Sequence, residues 1–275
     1  METNNPLTQY FRRPAVYLKL PSGNKGYKDT ELDITPTGEL PVYPMTAIDE
    51  ITVRTPDALY NGTAVANLIT SCVPNIKDPW AVKSNDLDAI LIAIRTASNG
   101  ESFDIKTSCP KCEEDQELAI NLMNLLLTLK PGDYSKEYEF NDLKIKFMPL
   151  VYKQLNEVSL AQIEIQNTFS NLDKIEKVDE RNAAGKKSLE DITILTMSII
   201  SAAIEYIQTP TVKVEDKAFI LDFLKNCDKT TFARIRDLNT EIKKESEIKP
   251  LQLKCPKCSH EYEQPVTLNA TDFFG

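Results

Sequence analysis

The sequence predicts an α+β fold: a scaffold of short strands and helices, two zinc-ribbon-like hairpins, and an inserted, mainly α-helical block. Three observations predict it. The tetrapeptide CPKC occurs twice, at Cys109 to Cys112 and at Cys255 to Cys258, each time between segments that alternate apolar and polar residues. The first 149 residues mix period-two and helical patterns broken by proline and glycine turns. Residues 150–246 read as helix almost throughout. The chain therefore divides into a flexible arm (1–13), a mixed scaffold with the first knuckle (14–149), a helical insertion (150–248), and a second knuckle with a C-terminal strand that packs back on the scaffold (249–275).

In order, Val16, Leu18 and Leu20 alternate and end at the turn Pro21-Ser22-Gly23. Leu32, Ile34 and the run Leu40 to Tyr43 suggest further strands of a small sheet. Thr46 can cap a short helix whose first turn carries Asp49 and Glu50, acids favoured at the positive helix end. Thr55-Pro56-Asp57 is a second start signal. After Gly62, Val65, Leu68, Ile69 and Cys72 share a helical face that Pro74 terminates. Trp80 lies in a linker, as a packing residue or a partner-facing anchor. Ser84 or Asn85 caps a helix from Asp86 to Ala97 with Leu87, Ile90, Leu91 and Ile94 on one side.

After the first knuckle, Asn121 to Leu129 reads as a short helix ended by Pro131-Gly132. Tyr134 to Phe140 and Leu143 to Met148 alternate across Asn141-Asp142, a hairpin turn signal. The inserted block opens with a long helix marked by Leu155, Val158, Ile163, Ile165 and Phe169. Asp173 to Lys187, charged and glycine-containing, reads as a mobile loop between antiparallel helices. Ser188 and Asp191 resemble a capping box for a helix with Ile192, Leu195, Ile199, Ile200, Ala203 and Ile207 on one broad face. Two more helices carry Phe219 to Leu224 and, capped by Asp228, Phe232 to Ile242.

The knuckles carry the one chemical signal. Thiolates two residues apart reach a single ion from one tight turn, and two such turns complete a four-thiolate tetrahedron. Cys109, Cys112, Cys255 and Cys258 are accordingly the expected ligands of a structural zinc. Between Cys112 and Cys255 lie 142 residues, far beyond the usual ribbon spacing of about fifteen to twenty. One ion shared by both pairs would close that long loop against a cost of several kcal/mol, for which metal binding of about 10–16 kcal/mol suffices. Two other readings compete: a redox C-x-x-C, which calls for a helix N-terminus where the flanks here read as strands, and a pair of disulfides. Four thiolates leave no open position for catalytic water. His260, the only histidine, is a fifth candidate ligand or a loop residue. Cys72 and Cys227 read as buried, inert thiols.

Composition narrows the function. With 275 residues and a net charge of −9, the chain can build a sizeable core and is a poor general nucleic-acid binder. The pairs Arg12-Arg13, Lys186-Lys187 and Lys243-Lys244 read as solvated faces. The polar N-terminus lacks a signal-peptide core, so folding in a reducing cytosol is expected. No catalytic motif is present, and Asp49-Glu50, Asp86 with Asp88, and Glu113-Glu114-Asp115 read as helix-start or solvated acids. No enzyme is expected.

The runs RRPAVYLKLPSG, LPVYPMTAIDEITVRTPDALYNG and SCVPNIKDPWAVKSNDLDAILIAIR, followed by CPKC, resemble the baseplate hub subunit or hub assembly protein family of T-even-type, contractile-tailed bacteriophages. The resemblance covers about residues 11–125. It implies a structural or chaperone-like role in the tail baseplate, in the virion or in the host cytoplasm during assembly. The implied partners are other hub proteins, the central spike or the tape-measure protein, with no nucleic acid and no membrane. Arg54, Thr55, Pro56, Asp57, Asn61 and Gly62 then form a helix start and turn, or a partner-binding surface. The alternative is a zinc-ribbon nucleic-acid-binding or transcription-associated factor.

Overall fold

A computed structural model describes residues 5–55, 58, 60–174, 177–266, 273 and 274. The chain folds as two compact units, residues 1–131 with 247–275, and residues 132–246. Eight helices and small antiparallel sheets are seen among the described residues, so the α+β class holds.

The first unit opens with a 3-10 turn, Pro6–Tyr10, and a two-stranded sheet of β1 (Val16–Leu18) and β2 (Leu40–Val42). Helices α1 (Ala47–Val53), α2 (Thr63–Cys72) and α3 (Ser84–Asn99) follow. Thr46 caps α1 as expected, and Asp49 completes a capping box with it. Of the start signal at Thr55-Pro56-Asp57, Pro56 and Asp57 lie outside the described residues. Gly62 caps α2 at φ 76°, a backbone angle that strains other L-residues, while Asn61 Oδ1 accepts from the Thr63 N–H at 3.0 Å. Trp80 is half-buried in the 3-10 turn Pro79–Ala81 against α2.

The sequence predicts one apolar side for α3, but Ala89 to Ile94 are all buried. Helix α3 touches β1, β2 and α2, so it is the central rod of the unit and is apolar nearly all round. Its start is fixed by Asp86, which is fully buried and accepts from the Ser22 N–H at 2.8 Å and the Tyr27 hydroxyl at 2.9 Å. A helix-start or solvated acid was expected there; Asp86 is a helix-start acid in the first turn of α3, and the loop after β1 folds over it.

Arg12 also departs from expectation. It donates to Pro44 O at 2.6 Å, Ser71 O at 2.8 Å and Ser71 Oγ at 2.9 Å, and pairs with Asp49 at 3.4 Å. One guanidinium thus joins the N-terminal segment to α1 and α2 at Arg12. Cys72 lies beside this cluster, fully buried, and burial with the nearby Asp49 charge pushes its thiol up to about 11. Cys227, expected to be buried, is only half-buried. The hairpin strands β3 (Ser102–Ser108) and β4 (Asp115–Asn121) and the short helix α4 (Leu122–Thr128) complete the unit's first stretch.

In the second unit, β5 (Glu137–Phe140) and β6 (Leu143–Phe147) form the expected hairpin. Helices α5 (Tyr152–Ser170) and α6 (Val178–Ala203) are antiparallel neighbours, then come β7 (Ile204–Gln208), β8 (Lys213–Val214), α7 (Lys217–Asn226) and α8 (Lys229–Ser246). The sheet order is β5-β6-β7-β8. Two expectations change here. The charged stretch 178–187 belongs to α6: its Glu, Arg, Ala and Lys residues favour helix, and Ser188 is a buried mid-helix residue that donates to Ala184 O. Ile204 to Gln208 leaves the helix to pair with β6, Ile145 opposite Ile207. That pairing draws the 137–147 hairpin, expected in the scaffold, into the core of the second unit. Ile145, Phe147, Ile200, Ile204 and Ile207 pack there with Ile220, Leu224, Ile235, Leu238 and Ile242. Gly132 (φ 70°) and Ser246, the first and last residues of this unit, are adjacent: a methyl on Gly132 would lie 3.5 Å from Ser246 Cβ. The chain then returns through β9 (Leu251–Lys254) and β10 (Glu261–Gln264). Residues 267–272, within the expected C-terminal strand region, lie outside the described residues.

Two outcomes follow for the first unit. Arg12→Ala leaves the largely buried Asp49 without its cation, and should cost about 2 kcal/mol in urea unfolding. Burial pushes the Asp86 carboxyl above its ordinary range, and hydrogen bonds from Ser22 and Tyr27 only partly offset it. A carboxyl raised in the folded state contributes stability in full below the ordinary carboxylate range, and that contribution is lost as pH rises through the raised value. Asp86→Asn should therefore flatten the fall in unfolding midpoint as pH rises above the ordinary carboxylate range.

Candidate metal centre

The two knuckles are built alike. In each, strand, CPKC and strand form an antiparallel hairpin: Phe103 opposes Ile120 and Ile105 opposes Leu118 in one, Leu253 opposes Tyr262 in the other. The Cys109 N–H donates to Glu114 O at 3.0 Å and the Glu113 N–H to Cys109 O at 2.9 Å. The equivalent bonds in the second knuckle join Cys255 to His260 and Ser259 to Cys255, both at 2.9 Å. Glu113 and Ser259, each one residue past the second cysteine, share φ 57°. The turn is thus the same backbone device used twice, and it aims two sulfurs at one point.

The four sulfurs of Cys109, Cys112, Cys255 and Cys258 lie within 4.8 Å of one another and could hold a metal ion. They pair crosswise, Cys109 with Cys258 at 3.7 Å and Cys112 with Cys255 at 3.6 Å. Thiolates bound tetrahedrally at about 2.3 Å stand about 3.8 Å apart, so the donors fit an ion of that kind without rearrangement. The crosswise separations are far longer than the roughly 2.05 Å of a disulfide, and all four cysteines are free. Cys109 and Cys255 are buried, and Cys112 and Cys258 are half-buried.

Four thiols so close cannot all ionise without a cation. Burial opposes ionisation of Cys109, but N–H groups of Lys111 and Cys112 support its thiolate and bring it down to about 7. The Glu114 N–H favours the Cys112 thiolate, yet burial and the three neighbouring sulfurs outweigh it and push Cys112 up to about 12. A divalent ion would ease that conflict by offsetting two of the four charges, so acid would compete with metal here.

Polar contacts outside the sulfurs also bridge the hairpins. Thr107 Oγ1 donates to Gln264, Gln116 Nε2 donates to the Tyr262 hydroxyl at 3.2 Å, and Lys257 pairs with Glu114. In the last pair Glu114 stays partly solvated, as expected, while Lys257 offsets part of the thiolate charge nearby. Sequence reasoning missed these three because no spacing rule joins residues so far apart. His260 is outside the cluster: its ring stacks on Tyr262 at 6.4 Å, 8° from parallel, while its carbonyl serves the knuckle.

Residues 16–275 match the family described as T4 bacteriophage base plate protein. No curated protein and no solved structure matches the chain. Membership of this family places the chain in the virion tail and implies contacts with other baseplate proteins. No helix among the described residues is long and apolar enough to cross a membrane.

Replacing Cys109 or Cys255 by serine should abolish stoichiometric metal binding and lower the unfolding midpoint, each to a similar extent, because each breaks the same tetrahedron from a different hairpin. Cys227→Ser, away from the cluster, should leave metal content unchanged. Elemental analysis of the purified variants reads both outcomes.

Proposed function

As the chain belongs to the T4 bacteriophage base plate protein family, we propose that it is a structural or assembly protein of the tail baseplate hub. It acts by protein–protein contact and is stabilised by one zinc ion on Cys109, Cys112, Cys255 and Cys258. The observation that carries the zinc is the crosswise sulfur geometry: four sulfurs at tetrahedral spacing leave no open coordination position and suit a structural ion. The ion does no chemistry on a substrate. It fixes the second hairpin to the first.

The rest of the molecule supports a role without catalysis. The buried acids Asp49 and Asp86 are engaged in a capping box and a loop clamp, and the lone histidine stacks on a tyrosine. Apolar side chains stand in solvent on the first unit, among them Tyr10, Ile48 and Ile51, and others such as Leu189 and Phe219 stand on the second. Faces of this kind suit assembly contacts. The net charge of −9 runs against the nucleic-acid reading, whose affinity comes from clustered cations.

Affinity capture of the tagged chain from infected cells, followed by mass spectrometry, tests this reading. Hub, spike or tape-measure proteins should co-purify, and the chain should carry close to one zinc per molecule. Recovery of nucleic acid in a salt-sensitive complex, with no tail protein, would overturn the hub assignment. Iron in place of zinc would overturn the choice of metal alone.

A further inference from the structure

Helices α5 and α6 form an antiparallel pair most of which lies outside the core of the second unit. Among the described residues, that core takes Ile200 from α6 and nothing from α5. Between residues 153 and 199, Ser188 is the one buried residue among those described. Helices in proteins are held chiefly by burying an apolar stripe against a further layer, and this pair has none of its own.

The stripe itself is regular. On α5, Val158, Gln162, Ile165 and Phe169 follow at steps of four, three and four residues. On α6, Leu189, Ile192, Thr196 and Ile199 follow at steps of three, four and three. Steps of this kind are the heptad spacing of helical bundles. All but Val158 and Leu189 line a groove of about 350 Å³ between the two helices. Leu189 extends the α6 stripe and is 60% exposed.

Charge is missing from this face. No ionisable side chain lines the groove, and α6 carries no charge from Ile192 to Ala203. The charged residues of α5, Lys153, Glu157 and Glu164, stand about 140–180° around the helix from Gln162, on its far side. Two copies of a chain of net charge −9 repel over much of their surface, but here they meet without opposing like charges.

Area selects the occupant. Two helices side by side present a face about 20 Å wide, and from Leu155 to Ser170 it runs about 24 Å. That is about 500 Å² per copy and about 1,000 Å² for two, the lower bound of a specific interface. One foreign helix, about 10 Å wide, covers about half of it. A second hairpin covers all of it. The Gln162 amide and the Thr196 hydroxyl each donate and accept, so their own copies can satisfy them.

We propose that the uncharged face of α5 and α6 docks on the same face of a second copy, related by a two-fold axis, and closes a four-helix bundle. A contact of this symmetry ends at two copies. The inference rests on the helix pair alone, independently of the metal and of the hub assignment.

Sedimentation velocity of the purified full chain, under reducing conditions and from about 1 to about 100 µM, tests it. The chain should pass from monomer to dimer across that range. Ile192→Glu should raise the dimer dissociation constant at least about tenfold. Ile194→Glu, on the opposite side of the same helix, should leave it unchanged. A chain that stays monomeric to about 100 µM overturns the proposal. So does a dimer that Ile192→Glu leaves intact or that Ile194→Glu weakens as much, and so does an assembly larger than two. A chain monomeric alone but joined to another tail protein through Ile192 overturns the second copy in favour of a foreign helix. If Ile192→Glu loses its helical circular dichroism, Gln162→Lys takes its place. Loss of fold in both makes the face ordinary core and likewise overturns the proposal. Failure here leaves the hub assignment as it stands, because the sample holds no other tail protein.

Discussion

The first unit depends on a crossing of sulfurs. Cys109 faces Cys258 and Cys112 faces Cys255, so neither hairpin owns a complete ligand pair across the short contacts. Among the described residues the two hairpins share no strand pairing: β3 bonds to β4, and β9 to β10. Isolated two-stranded hairpins are marginal in water. Among the described residues the two are joined by the cluster and three polar contacts around it. Charge explains why such a cluster could hold an ion. Without one, the cysteines must keep protons that the geometry offers no other use for.

Around this closure the unit is a set of clamps on one buried helix. Asp86 ties the start of α3 to the loop after β1, Asn85 reaches Pro131 O at 2.8 Å, and Arg95 near its end holds Phe273. Arg12 makes the corresponding clamp for α1 and α2. Each clamp is a charged or amide side chain with main-chain partners distant in sequence. Such bonds fix position more than they add net stability, because each group gives up hydration to make them.

These clamps also mark where the sequence stops being legible. The capping box at Thr46, the strands around each CPKC and the cluster itself follow from local pattern: a spacing, an alternation, a turn. Arg12, Asp86 and Arg95 do not, because polar residues on an amphipathic pattern look solvated until the tertiary partner is known. The second unit shows the other limit. Ala203 to Ile207 is a four-residue step that suits helix as well as strand, and only β6 lying alongside selects strand. In α6, charge density and Gly185 imitated a loop, though the flanking alanines and the pairs Lys177–Glu180 and Lys186–Glu190 favour helix. The resemblance to baseplate proteins was legible from word-like runs in the first half, and the family match extends from residue 16 to residue 275.

The neighbouring positions of Gly132 and Ser246 have a consequence for how such a molecule can vary. A module whose two ends meet can be lengthened, shortened or traded for another without altering the gap its host must bridge. The closure entropy charged to the host then grows only with the logarithm of the module's length. Descent can therefore refit the interior cassette freely while the framework that carries the sulfurs stays as it is.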